Sequence, residues 1–339
     1  LALLKRGHAV ISATRTPAAP SLGPVLAAGG QTVRADPTDA ASLRKLPAAD
    51  VLVHLVETRD EAGGRTAIWS VNVESVCNVL DWARKAGVQK VVLRSATAVV
   101  GPSESPQELV DEGCCRQPPG LYGRSRFTAE RVALQWSAKH AIPLAVARLS
   151  PVYGGGARWA PLDRALRYAR TGVLREQPGL GLLQPLHIAD AVAALCLLAL
   201  DTRRWSRTYF VAGKLQLSEH DLFRRVLDLA GRESLLERIA GQAALSSGSI
   251  HEGYSTARIR KELGFESRAS LEQELLRQLC GKREDARAGS EEALATRVAR
   301  GLSRVRAWLA PEATPAVRLA PFRRAASVGG IALPSTGRR

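Results

Sequence analysis

The chain has 339 residues, 45% of them hydrophobic and 24% charged, a balance that suits a full-sized globular core and excludes global disorder. No apolar run reaches the ~18 residues a membrane helix needs, and Ala191–Leu200 reads as a buried helix rather than a span. Five cysteines without a CxxC pair suggest neither a zinc site nor a disulfide framework, so no metal is expected.

The formal net charge is +16, from 48 basic and 32 acidic residues. Residues 281–339 hold 12 Lys/Arg and 5 Asp/Glu (12 − 5 = +7), which leaves +9 over the first 280. No aromatic-interleaved basic motif appears, so solvated surface charge is favoured over a nucleic-acid site.

In chain order, Leu1–His8 reads as the last turns of a helix closed by Gly7. Together with the absence of any methionine, this leads to the expectation that further residues precede Leu1. Residues 8–15 alternate like a strand, 33–36 form a second short strand, and 50–55 a third, apolar on both faces as in the middle of a parallel sheet. Helical segments are expected at 39–46 and, as one long helix, at 69–86, closed by Gly87. Strand 90–95, helix 122–140 and strand 144–148 follow. This alternation means βαβ units and a doubly wound parallel sheet. Beyond it, helices are expected near 161–171, 188–200, 218–231 and 270–279, separated by Gly/Pro-rich loops. The expected division is a dinucleotide-binding Rossmann region at 1–150, a substrate lobe interleaved with the last strands at 151–280, and a basic extension at 281–339. Within that extension Ser290–Leu309 patterns as an amphipathic helix, a candidate for docking on a larger assembly.

Several segments, in order, resemble the extended short-chain dehydrogenase/reductase family of the NAD-dependent epimerase/dehydratase type. Asp36-Pro37-Thr38-Asp39 is similar to its D-L-T-D, Val53-His54-Leu55 to V-x-H-L-A, and Asn72-Val73 with Asn78-Val79-Leu80 to N-V-x-G-T-x-N-V-L. Arg94–Gly101 stands where S-S-x-x-V-Y-G belongs, and Tyr122–Arg126 with Ala129-Glu130 looks like Y-x-x-x-K-x-x-A-E. Arg148–Gly154, Leu186–Asp190, and Ser255–Arg258 with Leu263–Phe265 resemble the later motifs, so the likeness covers essentially residues 1–280.

The resemblance implies a Rossmann-type fold whose first strand and glycine loop would lie before Leu1. It implies an NAD(P) cofactor lined by Asp36, Pro37, Leu55, Val56, Asn72, Ser95, Tyr122, Arg126, Ser150 and Val152. Tyr122 takes the position of the general acid/base, with Arg126 in place of the lysine one helical turn on that lowers the tyrosine pKa by its charge. The hydroxyl-bearing position that orients substrate falls on Ala96, leaving Thr97 as the neighbouring catalytic candidate. Arg15, at the end of the second family strand where NAD-selective members carry an acid, suits a 2′-phosphate and points to NADP, with NAD open.

His54 is expected to pack at the end of its strand, and His187 and Asp190 to cap or orient the helix that begins there. Two functions stay open. One is an oxidoreductase or epimerase on a nucleotide sugar, steroid-like alcohol or similar substrate. The other is a catalytically degenerate, dinucleotide-binding subunit of a large organellar assembly, in the manner of a respiratory complex I accessory subunit or an RNA-binding relative. The compartment, cytoplasm or the matrix of a mitochondrion or plastid, is not readable.

Overall fold

The computed structural model describes residues 1–101, 103, 105, 107–114, 118–240 and 251–280. The helix expected at 290–309 and the rest of the basic extension lie outside the described residues. Residues Leu1–Asp285 form one compact unit.

In chain order the strands are β1 (Ile11–Thr14), β2 (Gln31–Arg34), β3 (Val51–His54), β4 (Lys90–Ala96), β5 (Leu144–Leu149), β6 (Val152–Tyr153), β7 (Leu182–Leu183), β8 (Leu186–His187), β9 (Arg207–Val211) and β10 (Leu217–Ser218). The helices are α1 (Gly23–Ala27), α2 (Ala40–Leu43), α3 (Gly64–Trp69), α4 (Ser75–Lys85), α5 (Gly120–His140), α6 (Ala160–Thr171), α7 (Ile188–Leu200), α8 (Glu219–Ala230), α9 (Glu237–Ala240), α10 (Ala257–Leu263) and α11 (Leu271–Cys280).

The main sheet runs β3-β4-β5-β9, every pair parallel, and β1 pairs with β2 in a separate parallel ladder. Short pairs β6–β8 and β7–β10 build the lobe that follows β5. Parallel strands need crossovers, and the helices supplying them cover both faces. On one face Val76, Leu80 and Ala83 of α4 and Ala129 and Ala133 of α5 pack on Val91, Leu93, Leu144 and Val146. On the other, Ala191, Ala194 and Leu198 of α7 meet Val92, Ala145, Ala147 and Leu149. A further core, including Trp159, Leu166, Phe223 and Leu275, joins α6, α8 and α11. The fold is thus a Rossmann-type α/β arrangement with a smaller lobe.

Several elements differ from expectation. The second strand lies at Gln31–Arg34, so Asp36 follows it by two residues and is not its last member. The apolar third strand was expected in the middle of a sheet. Instead β3 hydrogen-bonds only to β4 within the main sheet, and Val51 is 37% exposed, because among the described residues no strand takes its other edge. The long helix expected at 69–86 begins earlier, at Gly64, and is broken by a π-type turn, Ser70–Glu74, between α3 and α4. Such a turn inserts an extra residue into the ladder and re-aims side chains; here it carries the buried Asn72. The helix expected at 39–46 shortens to α2, with the Asp39 carboxylate capping the Ala41 amide. Strand β9 lies within 151–280, where the last strands were expected but not individually placed, and it completes the main sheet.

Candidate active site

The carboxyl ends of the strands in the main sheet converge with the start of α5. Helix α5 opens after Pro119 at Gly120, whose φ of 67° favours glycine. The Glu61 carboxylate accepts from the Tyr122 backbone N–H at 3.0 Å, so an acid satisfies a free amide of the first turn. One residue on, a Cβ at Gly123 would stand 2.6 Å from the Ala98 carbonyl oxygen. Only glycine allows α5 this close to the single 3-10 turn Thr97–Val99 that follows β4. That approach sets Tyr122 beside the end of β4.

The Tyr122 side chain meets both a carboxylate and a cation: it hydrogen-bonds with Arg59 as well as with Glu57. It donates to Glu57 Oε2 at 3.0 Å, and Glu57 lies in the loop after β3 with its side chain 8% exposed. Among the described residues, three arginines surround that carboxylate. Arg94 Nη2 is 2.7 Å from Glu57 Oε1, Arg59 Nε 3.5 Å from the same oxygen, and Arg126 Nε 3.9 Å from Oε2. Arg59 also stacks on the Tyr122 ring, its Cζ 4.9 Å from the centroid. Burial, and next the Glu57 charge, push the Tyr122 pKa up, and the arginines oppose them without winning. The hydroxyl therefore stays a phenol. Arg126, one turn on, does lower this pKa as expected, but burial first and the Glu57 charge second outweigh it.

Arg126 is fully buried and donates through Nη2 to the Arg94 carbonyl oxygen; its Nε and Nη1 make no hydrogen bond. Desolvation pulls its pKa below the ordinary value, with Glu57 and Tyr122 opposing. Asn72 is also fully buried: its carboxamide accepts from the Thr58 N–H at 2.7 Å and donates to the Thr58 carbonyl and to Ser125 Oγ, each at 2.9 Å. Its amide therefore fixes the loop that carries Glu57 and Arg59.

The remaining expected residues are distributed along the strand ends. The β4–β5 ladder stays regular through Ala96↔Leu149, and Thr97 leaves the strand into the following turn. Ser95, Ala96 and Thr97 are all buried, and Thr97 hydrogen-bonds with the Tyr254 side chain. Ser95 Oγ, Ser150 Oγ and His54 Nε2 are buried polar atoms without a hydrogen-bond partner, at the ends of β4, β5 and β3. Leu55 and Val56 are 50% and 37% exposed, an apolar surface just past β3. Val152 begins β6 and is half-buried.

Past β2, Asp36 accepts from the Thr38 amide and hydroxyl, both through Oδ1, and these bonds lower its pKa. Pro37, half-buried, offers its carbonyl to Asn78 Nδ2 at 3.1 Å. Arg15 is exposed just past β1, and its charge also lowers the Asp36 pKa.

His54 is 6% exposed as expected, and burial with the Arg126 charge pushes its pKa down to about 3. His187 caps α7 by accepting from the Ala189 amide at 3.2 Å. Asp190 instead holds the turn before α11, accepting from Ser267 Oγ and from the Arg268 and Ala269 amides.

Glu57, Arg59 and Arg94 were absent from the expected site. The signal for them was faint: charged residues at or just past the ends of two apolar parallel strands, where open α/β sheets bind ligands. Glu252 was missed too; its carboxyl is buried near Arg59, one oxygen lacks a partner, and desolvation raises its pKa. Among the described residues no group of three or more His, Cys, Asp or Glu side chains could hold a metal ion, and no helix is long and apolar enough to cross a membrane.

Residues 1–212 match the NAD dependent epimerase/dehydratase family, and the chain belongs to it. A 3β-hydroxysteroid dehydrogenase/Δ5-Δ4 isomerase of Caenorhabditis elegans is 29% identical over 132 residues, 38% of this chain and 28% of that protein. An N-acetyl-α-D-glucosaminyl-diphospho-ditrans,octacis-undecaprenol 4-epimerase of Escherichia coli O157:H7 is 32% identical over 89 residues, 26% of either chain. The matched segments thus span about a quarter of the length of these two relatives. The crystal structure of the Bordetella bronchiseptica enzyme WbmG in complex with NAD is similar in fold, with a TM-score of 0.68 at 19% identity over 84% of this chain and 89% of that one.

Proposed function

We propose that the protein binds a nicotinamide dinucleotide along the carboxyl edge of its parallel strands and acts as an oxidoreductase or epimerase on a hydroxyl or carbonyl carbon. The observation that carries this reading is Tyr122: a half-buried phenol at that edge whose hydroxyl donates to Glu57 beside the Arg59 guanidinium.

The residues fit such a cofactor. Among the described residues Asp36 Oδ2 makes no hydrogen bond, and it can accept from an adenine amino group. Leu55 and Val56 offer an apolar surface, and Ser95, Ser150 and Arg126 hold polar atoms with no partner of their own. Arg15 suits a 2′-phosphate, which favours NADP over NAD. When bound, the cofactor supplies hydride exchange. Tyr122 gives or takes the proton at the substrate oxygen, and Thr97 and Arg126 shape the polar wall around it. The substrate is of the diphosphate-linked sugar or steroid-like kind, following the two curated relatives' names.

A second reading, a dinucleotide-binding subunit without turnover, is favoured by one observation. Ala96 brings no hydroxyl to the position from which substrate would be oriented, and it is buried at 2% exposure. Losing one positioned donor lowers a rate by about 10²–10³-fold.

Quenching of intrinsic tryptophan fluorescence by NADPH and NADH tests the binding step. Turnover of UDP-glucose and of a 3β-hydroxysteroid, compared between the native protein and Ala96→Ser, separates the two readings. Saturable cofactor binding with turnover that rises in Ala96→Ser supports the enzyme. Binding with no turnover in either protein supports the subunit, and absence of binding refutes both.

A further inference from the structure

We infer that Glu57 is the positioning residue that governs the proton of the Tyr122 hydroxyl, in place of a cation one helical turn along α5. The inference rests on the proposed function for its chemistry but not for its geometry. The 3.0 Å hydrogen bond has the phenol as donor and the carboxylate as acceptor, so the proton already points at Glu57 Oε2. The other carboxylate oxygen is fixed by Arg94 at 2.7 Å, while the loop itself is pinned at Thr58 by the fully buried Asn72. The bond is therefore held from both ends: α5 is seated by Gly123, and the Glu57 loop is clamped by Asn72. Arg126, four residues from Tyr122, donates to a backbone carbonyl instead.

Among the described residues, the charged groups facing the pair are Arg59 on the same loop, Arg94 on β4, and Arg126 on α5. His54 and Glu130 lie in the field of Arg126, and Glu252 in that of Arg59. The Glu57 charge raises the Tyr122 pKa, and Arg59, Arg126 and Arg94 oppose it. The two groups thus share one proton between them.

In alcohol oxidation the substrate O–H proton passes to Tyr122 Oη as the phenolic proton passes to Glu57 Oε2. A bound nicotinamide would accept the hydride from the same carbon, so that the C–O bond becomes a carbonyl. Tyr122 is neutral before and after. Carbonyl reduction runs the same transfers backward, with protonated Glu57 as the source. A tyrosinate paired with a cation would need no second acceptor; here the carboxylate is that acceptor.

The test is a spectrophotometric tyrosine titration of the full chain as native protein, Glu57→Gln and Glu57→Asp, with Tyr122→Phe identifying the Tyr122 signal. Removing the carboxylate charge while leaving three arginines should shift the Tyr122 titration down by about 1 pH unit. Glu57→Asp, which keeps the charge, should stay near native and also serves if the glutamine variant fails to fold. On any probe the native protein turns over, Glu57→Gln should lower kcat for alcohol oxidation by about 10²-fold, with the KM for cofactor little changed. A Tyr122 titration unmoved in Glu57→Gln, or moved upward, overturns the inference; so does unchanged kcat where the native protein is active. Failure of the proposed function is distinct from either, because it appears as absent NADPH and NADH binding in the native protein while the titration still reads the pair.

Discussion

The carboxamide of Asn72 grips the backbone of Thr58 from both sides, accepting from its N–H at 2.7 Å and donating to its carbonyl at 2.9 Å. Its remaining N–H reaches Ser125 Oγ, so one buried side chain ties the π-type turn, the loop after β3 and helix α5 together. Asn72→Ala removes three hydrogen bonds and leaves partly buried backbone groups without partners, at a cost of about 2–4 kcal/mol. Urea unfolding of native and variant protein measures it. A loss below about 0.5 kcal/mol would show that water replaces the clamp at no cost.

His54 ties the same region to pH. Burial first, and then the Arg126 charge, push its pKa from 6.5 down to about 3. Between those values the unfolded chain carries a proton on this residue that the folded chain does not. Its contribution to stability is therefore intact above pH 6.5 and declines as pH falls through the window toward about 3, by up to roughly 1.4 kcal/mol per pH unit. His54→Phe should flatten this acid slope relative to native protein. Equal slopes from denaturant titrations at about pH 7 and about pH 5 would show that the imidazole protonates in the fold.

Much of the architecture was legible because β4 and β5 are apolar on both faces and α4 and α5 present small and aliphatic residues at helical spacing. Where the pattern misled, the cause was tertiary. The apolar run of β3 expresses a central-strand preference that its single ladder does not satisfy, and the π-type turn keeps a helical residue pattern while shifting its register. In the site, Tyr122 and Arg126 share a face as their spacing requires, but spacing is silent about what the loop after β3 places between phenol and guanidinium. Glu57 could not be read because a carboxylate three residues past a strand is ordinary until the chain folds. What makes it part of the site is the convergence of Arg59, Arg94 and Arg126, brought from three separate segments.

Cofactor choice should turn on Arg15. It is exposed just past β1 and its charge reaches Asp36, so it stands in the region where the adenosine ribose would lie under the proposed binding mode. Arg15→Glu replaces a group that attracts a 2′-phosphate with one that repels it and accepts from a 2′-hydroxyl. The expected outcome is an affinity ratio, NADPH over NADH, that falls by about tenfold or more, equivalent to ~1.4 kcal/mol. Fluorescence titration with both cofactors reads it, and a ratio unchanged in the variant removes Arg15 from the site.

The last prediction concerns the pair that joins α5 to β5. Arg148 meets Glu130 in a two-armed contact, Nη2 to Oε2 at 2.8 Å and Nε to both carboxylate oxygens at 3.1 Å, with side-chain exposures of 9% and 2%. Glu130 is one helical turn from Arg126, and Arg148 is two residues before Ser150, so the bond fixes the two elements that carry the site. Buried pairs gain little over well-packed apolar residues, because desolvating both charges offsets most of their attraction. Breaking one is different. Glu130→Ala would leave a buried guanidinium without its anion, already lacking a partner at Nη1, and should cost about 3–5 kcal/mol. Replacing both residues by methionine removes both charges and retains most of the volume, and it should cost much less than the sum of the single changes. A double-mutant cycle followed by urea unfolding separates these cases. Additive single and double losses would mean that the two side chains stabilise α5 and β5 independently, and that the bond between them contributes nothing of its own.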